Sequence, residues 1–434
     1  MINNDNNNRE LASPMRVSNA WGVVFASTLG LMVTQGPVMT FSFGVFLPSF
    51  ESEFGWNRGQ ISLALTLTIL SAAVVMPLAG RLLDTVGARR FALWALGVFG
   101  VSIMSLCFVP GHIGFFYAWF VVIGILAAGA APGPFARVVS TWFDRKRGLA
   151  LGLCMAGVGL GAAIIPLVAR SATAAFGWRG AYVVIGCLIL VVIPVVFWLF
   201  YNDPKDVGGF VDNDPERESG NARKQLVGIT TREAFGQRSF WLLLAAFLIA
   251  AFTINGCTVH LVPLLMDRGV TFEAAAGTAS LIGLALIFGR IVAGYLLDRV
   301  FAPYVAIGFL TGPIIGMIIL SQGGSGSTAM LSAVLLGLGV GAEVDLIAYM
   351  ASRYFGLRSF GEIYGYLFGV FIVGTGLGPL ATGIAFDRMG DYSAIFICFA
   401  VLLGLSCLLM LRLGEYPRHL LDDKEKYRNT TRQA

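Results

Sequence analysis

Three ionisable residues stand inside apolar runs, where only chemistry or ion pairing would justify them. Arg290 lies eight residues before Asp298, where its run ends, and Glu343 and Asp345 lie ten and eight residues before Arg353. At 1.5 Å per helical residue these are depths of about 12–15 Å, near the midplane of a hydrocarbon core about 30 Å thick. Charges at that depth are costly and are read first as functional. An arginine presents a fixed fork that clamps a carboxylate through two hydrogen bonds, and it cannot lose its proton. Arg290 is therefore the leading candidate for binding an anion. A carboxylate in an apolar surround can carry a proton, and an anion arriving at Arg290 could switch its state, so Glu343 and Asp345 are the candidates for proton coupling. Two residues apart on one helix, they project from different faces. The sequence leaves open which of them meets a cavity.

Weaker candidates accompany these. Asn255 and Gln35 could hydrogen-bond a substrate or a neighbouring helix equally well, and His260 near the outer boundary could line a vestibule. Arg137 lies about 7 Å from the end of its run, shallow enough to snorkel. Gly36-Pro37 and Pro132-Gly133-Pro134 mark helix bends, because proline frees a backbone carbonyl. Gly361, Gly365 and Gly369 recur every four residues and read as packing, with Tyr364 and Tyr366 beside them.

The elements that must hold these residues follow from composition. The chain has 434 residues, 56% hydrophobic and only 13% charged, with 54 glycines. A soluble chain averages about 25% charged residues. The apolar residues gather in runs of about 20, long enough to cross a bilayer as helices. Soluble enzymes, nucleic-acid binders and secreted domains are thereby nearly excluded, and the lipid bilayer is the expected surrounding. Twelve spans are expected, over roughly 18–46, 60–82, 91–109, 113–137, 148–172 and 180–201, then 239–265, 274–297, 301–321, 328–352, 361–386 and 392–413. Residues 1–17 and 414–434 are tails. Residues 202–238 hold six basic and seven acidic residues and read as a mobile linker between two six-helix halves, 18–201 and 239–413, because they cannot bury a core.

Basic residues in short loops set the orientation. With the N-terminus in the cytoplasm, only Arg58, Arg170, Arg179, Arg268 and Arg388 of the 30 basic residues fall outside, which predicts a multi-pass protein of the cell (inner) membrane with both termini cytoplasmic. The net charge of +5 is explained by that topology, without a nucleic acid. Residues 1–16 lack the apolar core of a signal peptide. The six cysteines all sit in apolar runs without a CxxC pair, so no disulfide framework, zinc site or other cofactor is indicated. Clustered His, Cys or nucleophile–base groups are missing from the spans, which argues against an enzyme.

The halves repeat each other. Gly80-Arg81-Leu82-Leu83-Asp84 recurs as Gly294-Tyr295-Leu296-Leu297-Asp298, an offset of 214, and Gly55 maps to Gly269 at the same offset. Gly152, Gly161 and Pro166 map to Gly365, Gly374 and Pro379 at 213. Parallel duplication of six helices is an architecture of secondary transporters, with the substrate near mid-membrane between the halves. Asp84 with Arg81, Arg89 and Arg90 could form a cytoplasmic gate, and the recurrence of the acid as Asp298 supports that reading.

The run from Gly80 to Arg90 (GRLLDTVGARR) resembles the loop 2–3 signature of the major facilitator superfamily, with a degenerate copy at 294–299. Residues 142–161 (WFDRKRGLALGLCMAGVGLG) are similar to the helix 4–5 signature of the monocarboxylate porter family, and 260–265 and 341–345 resemble its bacterial branch. The resemblance implies an all-α, twelve-helix transporter, expected as a monomer, that carries small organic monocarboxylates, often with a proton. In the animal monocarboxylate transporters an aspartate precedes the span 8 arginine by one turn, and a lysine stands in span 1. Here the first position is Leu286, and no Lys or Arg lies between Arg16 and Arg58. The lysine that the oxalate–formate exchanger carries in span 11 also has no counterpart in 361–386. A single deep cation favours a monoanion over a dianion, and the missing aspartate leaves Glu343 or Asp345 as the proton carrier. The competing expectation is an exporter of drugs or other amphiphiles on the same fold. Membrane sensors are disfavoured because no output domain is present.

Overall fold

A computed structural model describes residues 20–203 and 228–417. Those residues are almost wholly helical, and the β-pairing among them is one isolated bridge between Gly228 and Gly356. Among the described residues, eleven helical stretches are long and apolar enough to cross a membrane. One of them, Arg147–Leu199, has 53 residues, about 80 Å if straight and far more than a bilayer needs. It folds back at Gly177, where φ 70 and ψ 172 interrupt the helix in a conformation open to glycine. Both of its ends return to one side, since Trp142 Nε1 donates to the Tyr201 carbonyl at 2.9 Å. Two of the twelve expected spans, 5 and 6, are this hairpin.

The expected bends are present, with local causes. Span 1 runs as Ala20–Met32, a wide π-helical turn Gly36–Phe41 opened by Pro37, and Phe43–Phe54. Span 4 divides into Ile113–Ala127 and Pro132–Trp142, the second piece started by proline. The two breaks meet where the Gln35 amide donates to the Ala130 carbonyl at 3.3 Å. Span 2, Arg58–Val86, opens on a reciprocal cap between Asn57 and Gln60. Span 3 is Ala88–Met104. The second half supplies span 7 as Arg238–Val259 and Leu261–Asp267, then Phe272–Leu297, Ala302–Ser321, Ser327–Tyr354, Phe360–Met389 and Ser393–Leu411 as spans 8 to 12.

Of the linker stretch 202–238, residues 204–227 lie outside those described. Its last part forms the helix Thr231–Phe235, closed by a reciprocal Thr230–Glu233 cap. The helix docks on span 11, where Thr231 Oγ1 donates to Glu362 Oε2 at 2.8 Å and Phe235 lies against Tyr366. This end of the molecule is called the linker end below.

The halves meet along two seams lined by glycines, among them Gly361, Gly365 and Gly369, whose spacing predicted packing. Gly80 of span 2 faces the backbone of Gly361 on span 11, and Gly365 and Gly369 continue along Met76 and Ala73. On the other seam, Gly148 of span 5 faces Gly294 of span 8, and a Cβ on Gly152 would stand 2.6 Å from the Arg290 carbonyl. Gly157 and Gly161 serve a different contact, against the span 1 backbone at Thr28 and Met32. One apolar core runs through both halves at the linker end, taking in Trp142, Leu346, Tyr354 and Phe360. At the far end the second half keeps a core of its own around Ile254, Leu320 and Phe399. The molecule is sealed between its halves at the linker end.

Candidate functional site

Arg290 sits where spans 5, 8 and 10 converge. Glycine at 289 lets the Leu338 carbonyl of span 10 approach, and Gly152 does the same for span 5 against the Arg290 carbonyl itself. The residue is 4% exposed. Its Nη1 donates to the Met155 carbonyl across the seam at 3.0 Å, and stands 3.5 Å from Asp345 Oδ1. Asp345 and Glu343 are both fully buried, and none of their four carboxyl oxygens has a hydrogen-bond partner; Arg290 Nε is also unpartnered. Unmade hydrogen bonds at buried charged groups are costly, so they point to atoms that act in another state or on a bound molecule. Gly341, one turn before Asp345, faces span 8, whereas Gly339, one turn before Glu343, faces Pro313 of span 9 and Ile254 of span 7. Asp345 is therefore the acid on the arginine's side. Cys154, completely buried, lies one residue before Met155 on span 5, and Ser27 of span 1, also buried, donates to the Val23 carbonyl of its own helix at 2.7 Å.

The other polar candidates take their positions from contacts away from Arg290. Gln35 is buried at the break of span 1, and Asn255 spends its amide on the Ala251 carbonyl of its own helix at 3.0 Å. His260 marks the break of span 7, with Nε2 3.0 Å from the Pro379 carbonyl and Nδ1 3.4 Å from the Tyr392 hydroxyl. These contacts hold it between spans 7, 11 and 12.

At the linker end, Asp84 and Asp298 occupy matching places. Asp84 accepts the span 11 amides of Gly361 and Glu362, each at 2.9 Å. Asp298 accepts the span 5 amides of Gly148 and Leu149 at 2.6 and 3.0 Å. Each acid thus caps the N-terminus of a helix in the opposite half, where free amides and the helix dipole favour an anion. Burial pushes the Asp298 carboxyl above its ordinary value, and the two amides and Arg353 pull against that. The cation beside Asp84 is Arg137, at 2.8 Å, which also donates to the Leu83 carbonyl at 2.9 Å. Arg89 turns instead to its own half, donating to the Phe197 carbonyl at 2.6 Å beneath the Tyr201 ring, and Arg90 is exposed. Arg353 reaches Asp144 across the seam at 3.3 Å, and Arg147 reaches Ser352 at 3.3 Å. Arg137, Asp144 and Arg353 were not singled out from sequence as gate residues. The only signal for Arg137 was its position within a span.

A groove of about 610 Å³ lies elsewhere, on spans 3, 4 and 6 between Trp94, Phe115 and Leu190, with no ionisable side chain in its lining.

The family comparison agrees with this architecture. The sequence model of the Major Facilitator Superfamily matches residues 21–370. Monocarboxylate transporter 11 of Mus musculus is 23% identical over 404 residues, spanning 90% of this chain and 87% of that protein. The uncharacterised MFS-type transporter YcxA of Bacillus subtilis (strain 168) is 23% identical over 388 residues, 85% of this chain and 90% of that one. Among solved structures, the E. coli fucose:proton symporter FucP, as its N162A variant, superposes with a TM-score of 0.67 at 15% identity, covering 93% of this chain and all of that one. With a duplicated twelve-helix fold and a family match over most of its length, this chain belongs to the major facilitator superfamily and is a multi-pass membrane transporter.

Proposed function

We propose that the protein imports a small organic monocarboxylate together with a proton, by alternating access across the cytoplasmic membrane. The observation that carries the reading is the Arg290–Asp345 pair, buried at the junction of the two halves with unpartnered carboxyl oxygens and a free Nε. The basic loops, with Arg81, Arg89, Arg90, Arg145, Lys146 and Arg147, favour a cytoplasmic linker end. In that orientation the sealed linker end corresponds to a carrier closed toward the cytoplasm.

Charge balance supplies the coupling. The site holds one arginine and two carboxyl groups, and a net charge sealed in an apolar interior is expensive. Empty, the site is neutral when one acid is ionised against Arg290 and the other holds a proton. Loaded, Arg290 pairs with the substrate anion, and neutrality requires Asp345 and Glu343 both to be protonated. One extra proton therefore accompanies each anion. The similarity to monocarboxylate transporter 11 and the single deep cation favour a monocarboxylate as the cargo.

The test is counterflow and net uptake of labelled lactate, pyruvate and acetate in liposomes carrying the purified full-length chain. The reading expects saturable counterflow for at least one acid, lost in Arg290→Ala. Absence of counterflow for all three, or normal counterflow in Arg290→Ala, would refute it.

A further inference from the structure

One more polar group without a partner lies between the buried acids and the sealed linker end. Tyr364 is 2% exposed, and its hydroxyl makes no hydrogen bond. It stands one turn beyond the Gly361 amide that Asp84 holds. Span 10, which carries Asp345, packs on span 11 and on the Pro132–Trp142 piece of span 4, which itself packs on span 11. The ring is fixed. Phe360 and Phe368 stack on it at 5.5 and 5.3 Å with interplanar angles of 20° and 14°. Its edge lies on Gly133 of the broken span 4, where a Cβ would stand 3.1 Å from the ring. The Pro132-Gly133-Pro134 break therefore gives the ring its seat in the opposite half. Beside it lies a cavity of about 20 Å³, walled by Gly80, Leu83, Gly133 and Gly361, enough for one water molecule.

Buried phenols ordinarily find partners, so a rigidly held one without any is arranged for a different state of the cycle. We propose that Tyr364 is the positioning residue of the proton step: with the linker end closed and an anion on Arg290, its hydroxyl becomes the hydrogen-bond partner of Asp345. This rests on the import reading above. The anion displaces Asp345 from Arg290, water from the far side delivers a proton to the carboxylate, and the new O–H donates to the Tyr364 oxygen. Opening the linker end draws Gly133 off the ring and admits water from that side. The anion leaves Arg290 to that side, the Asp345 O–H breaks with its proton passing to that water, and the carboxylate returns to Arg290.

The charged and titratable groups facing this pair are few. Arg290 comes from span 8, the buried Cys154 from span 5, and Glu343 from Asp345's own helix. Arg137, one turn beyond Gly133, is held by Asp84. The phenol is thus the uncharged group from the opposite seam that can hold a protonated Asp345 without competing for the anion.

The experiment compares wild type, Tyr364→Phe, Gly133→Ala and Arg290→Ala in liposomes, using whichever of labelled lactate, pyruvate and acetate shows wild-type counterflow. Tyr364→Phe keeps the ring and its stack. Its counterflow KM should stay within about 2-fold, because the anion's own partner is intact, while proton-driven accumulation falls about 10-fold, the loss of one hydrogen bond to a charge-switching group. The outside pH giving half-maximal uptake should move about one unit toward acid, because a tenfold weaker hold on the proton is one pH unit. Gly133→Ala, which displaces the ring and keeps the hydroxyl, should move the pH profile in the same direction. An unchanged pH profile and accumulation in Tyr364→Phe, with Arg290→Ala inactive, would overturn this inference alone. Wild-type-like counterflow in Arg290→Ala, or none in wild type, would overturn the import reading and this inference with it.

Discussion

At the scale of single residues, the decisive contrast is between groups whose partners are local and groups whose partners arrive from another span. Arg290→Lys keeps a charge near Asp345 and loses the fork that serves both Met155 and a bound carboxylate. Affinity for the transported acid should fall by roughly 10-fold or more, about one charged hydrogen bond, as read from counterflow KM. An unchanged KM would remove Arg290 from the site. Arg137 supports a second expectation. Removing one partner of a buried pair leaves a charge uncompensated, at a cost of about 3–5 kcal/mol. Arg137→Ala should therefore unseat Asp84 and make a cysteine placed at Gly87 react faster with thiol reagents, whereas Arg89→Gln, whose contacts stay in its own half, should alter labelling little. Equal labelling in both variants would contradict the assignment of Asp84's partner. Depth made Arg290, Glu343 and Asp345 legible in the sequence, because charge in an apolar run needs a reason. The partners of Asp84 were not legible: Arg137 is 53 residues away, and the amides of Gly361 and Glu362 carry no mark in sequence.

At the scale of elements, glycine decides how closely the halves can seal. Gly80 and Gly361 put backbone on backbone at one seam, and Gly148 and Gly294 do so at the other. Gly80→Ala would drive a Cβ into the Gly361 carbonyl, so the closed linker end should lose population and net uptake should slow. Asp84→Asn weakens the cap on span 11 without steric change, and Asp298→Asn weakens the cap on span 5. A loss of about 1.4 kcal/mol in either cap shifts the ratio of closed to open states tenfold. Asp84 has a cation at 2.8 Å in addition to its two amides, so its loss should raise labelling at position 87 more than the loss of Asp298 does. Identical labelling in wild type, Gly80→Ala and Asp84→Asn would show that these seams do not gate. The repeat offset announced the paired acids and matched Gly80 with Gly294 and Gly152 with Gly365, but not that these glycines would meet across the halves. It could not announce that spans 5 and 6 would follow each other directly as a hairpin turned at Gly177, since a single glycine among 54 carries no distinguishing context.

At the scale of the whole molecule, the question is what drives transport, and the answer follows from sealing charge inside a bilayer. Arg290, Asp345 and Glu343 are at most 4% exposed when the linker end is closed, so the site must cross between states with almost no net charge. An anion entering as one proton joins the acids satisfies that condition, and an anion entering alone does not. If a net charge moved, 100 mV across the membrane would be worth about 2.3 kcal/mol per charge, and accumulation would follow the potential steeply. The expectation is the reverse. In liposomes buffered at about pH 7.5 inside, lowering the outside to about pH 5.5 should concentrate the labelled acid, since each imported anion then carries a proton down its gradient. Clamping the potential with potassium and valinomycin at constant pH should change the initial rate less than about 2-fold, because no net charge crosses the field. Collapsing the pH gradient with nigericin should abolish accumulation and leave counterflow intact. Asp345→Asn, which cannot cycle a proton, should show the counterflow of a carrier and lose the response to pH. Accumulation driven by a sodium gradient, or by potential with no pH difference, would mean that the charge of the anion is balanced by something other than the two buried acids.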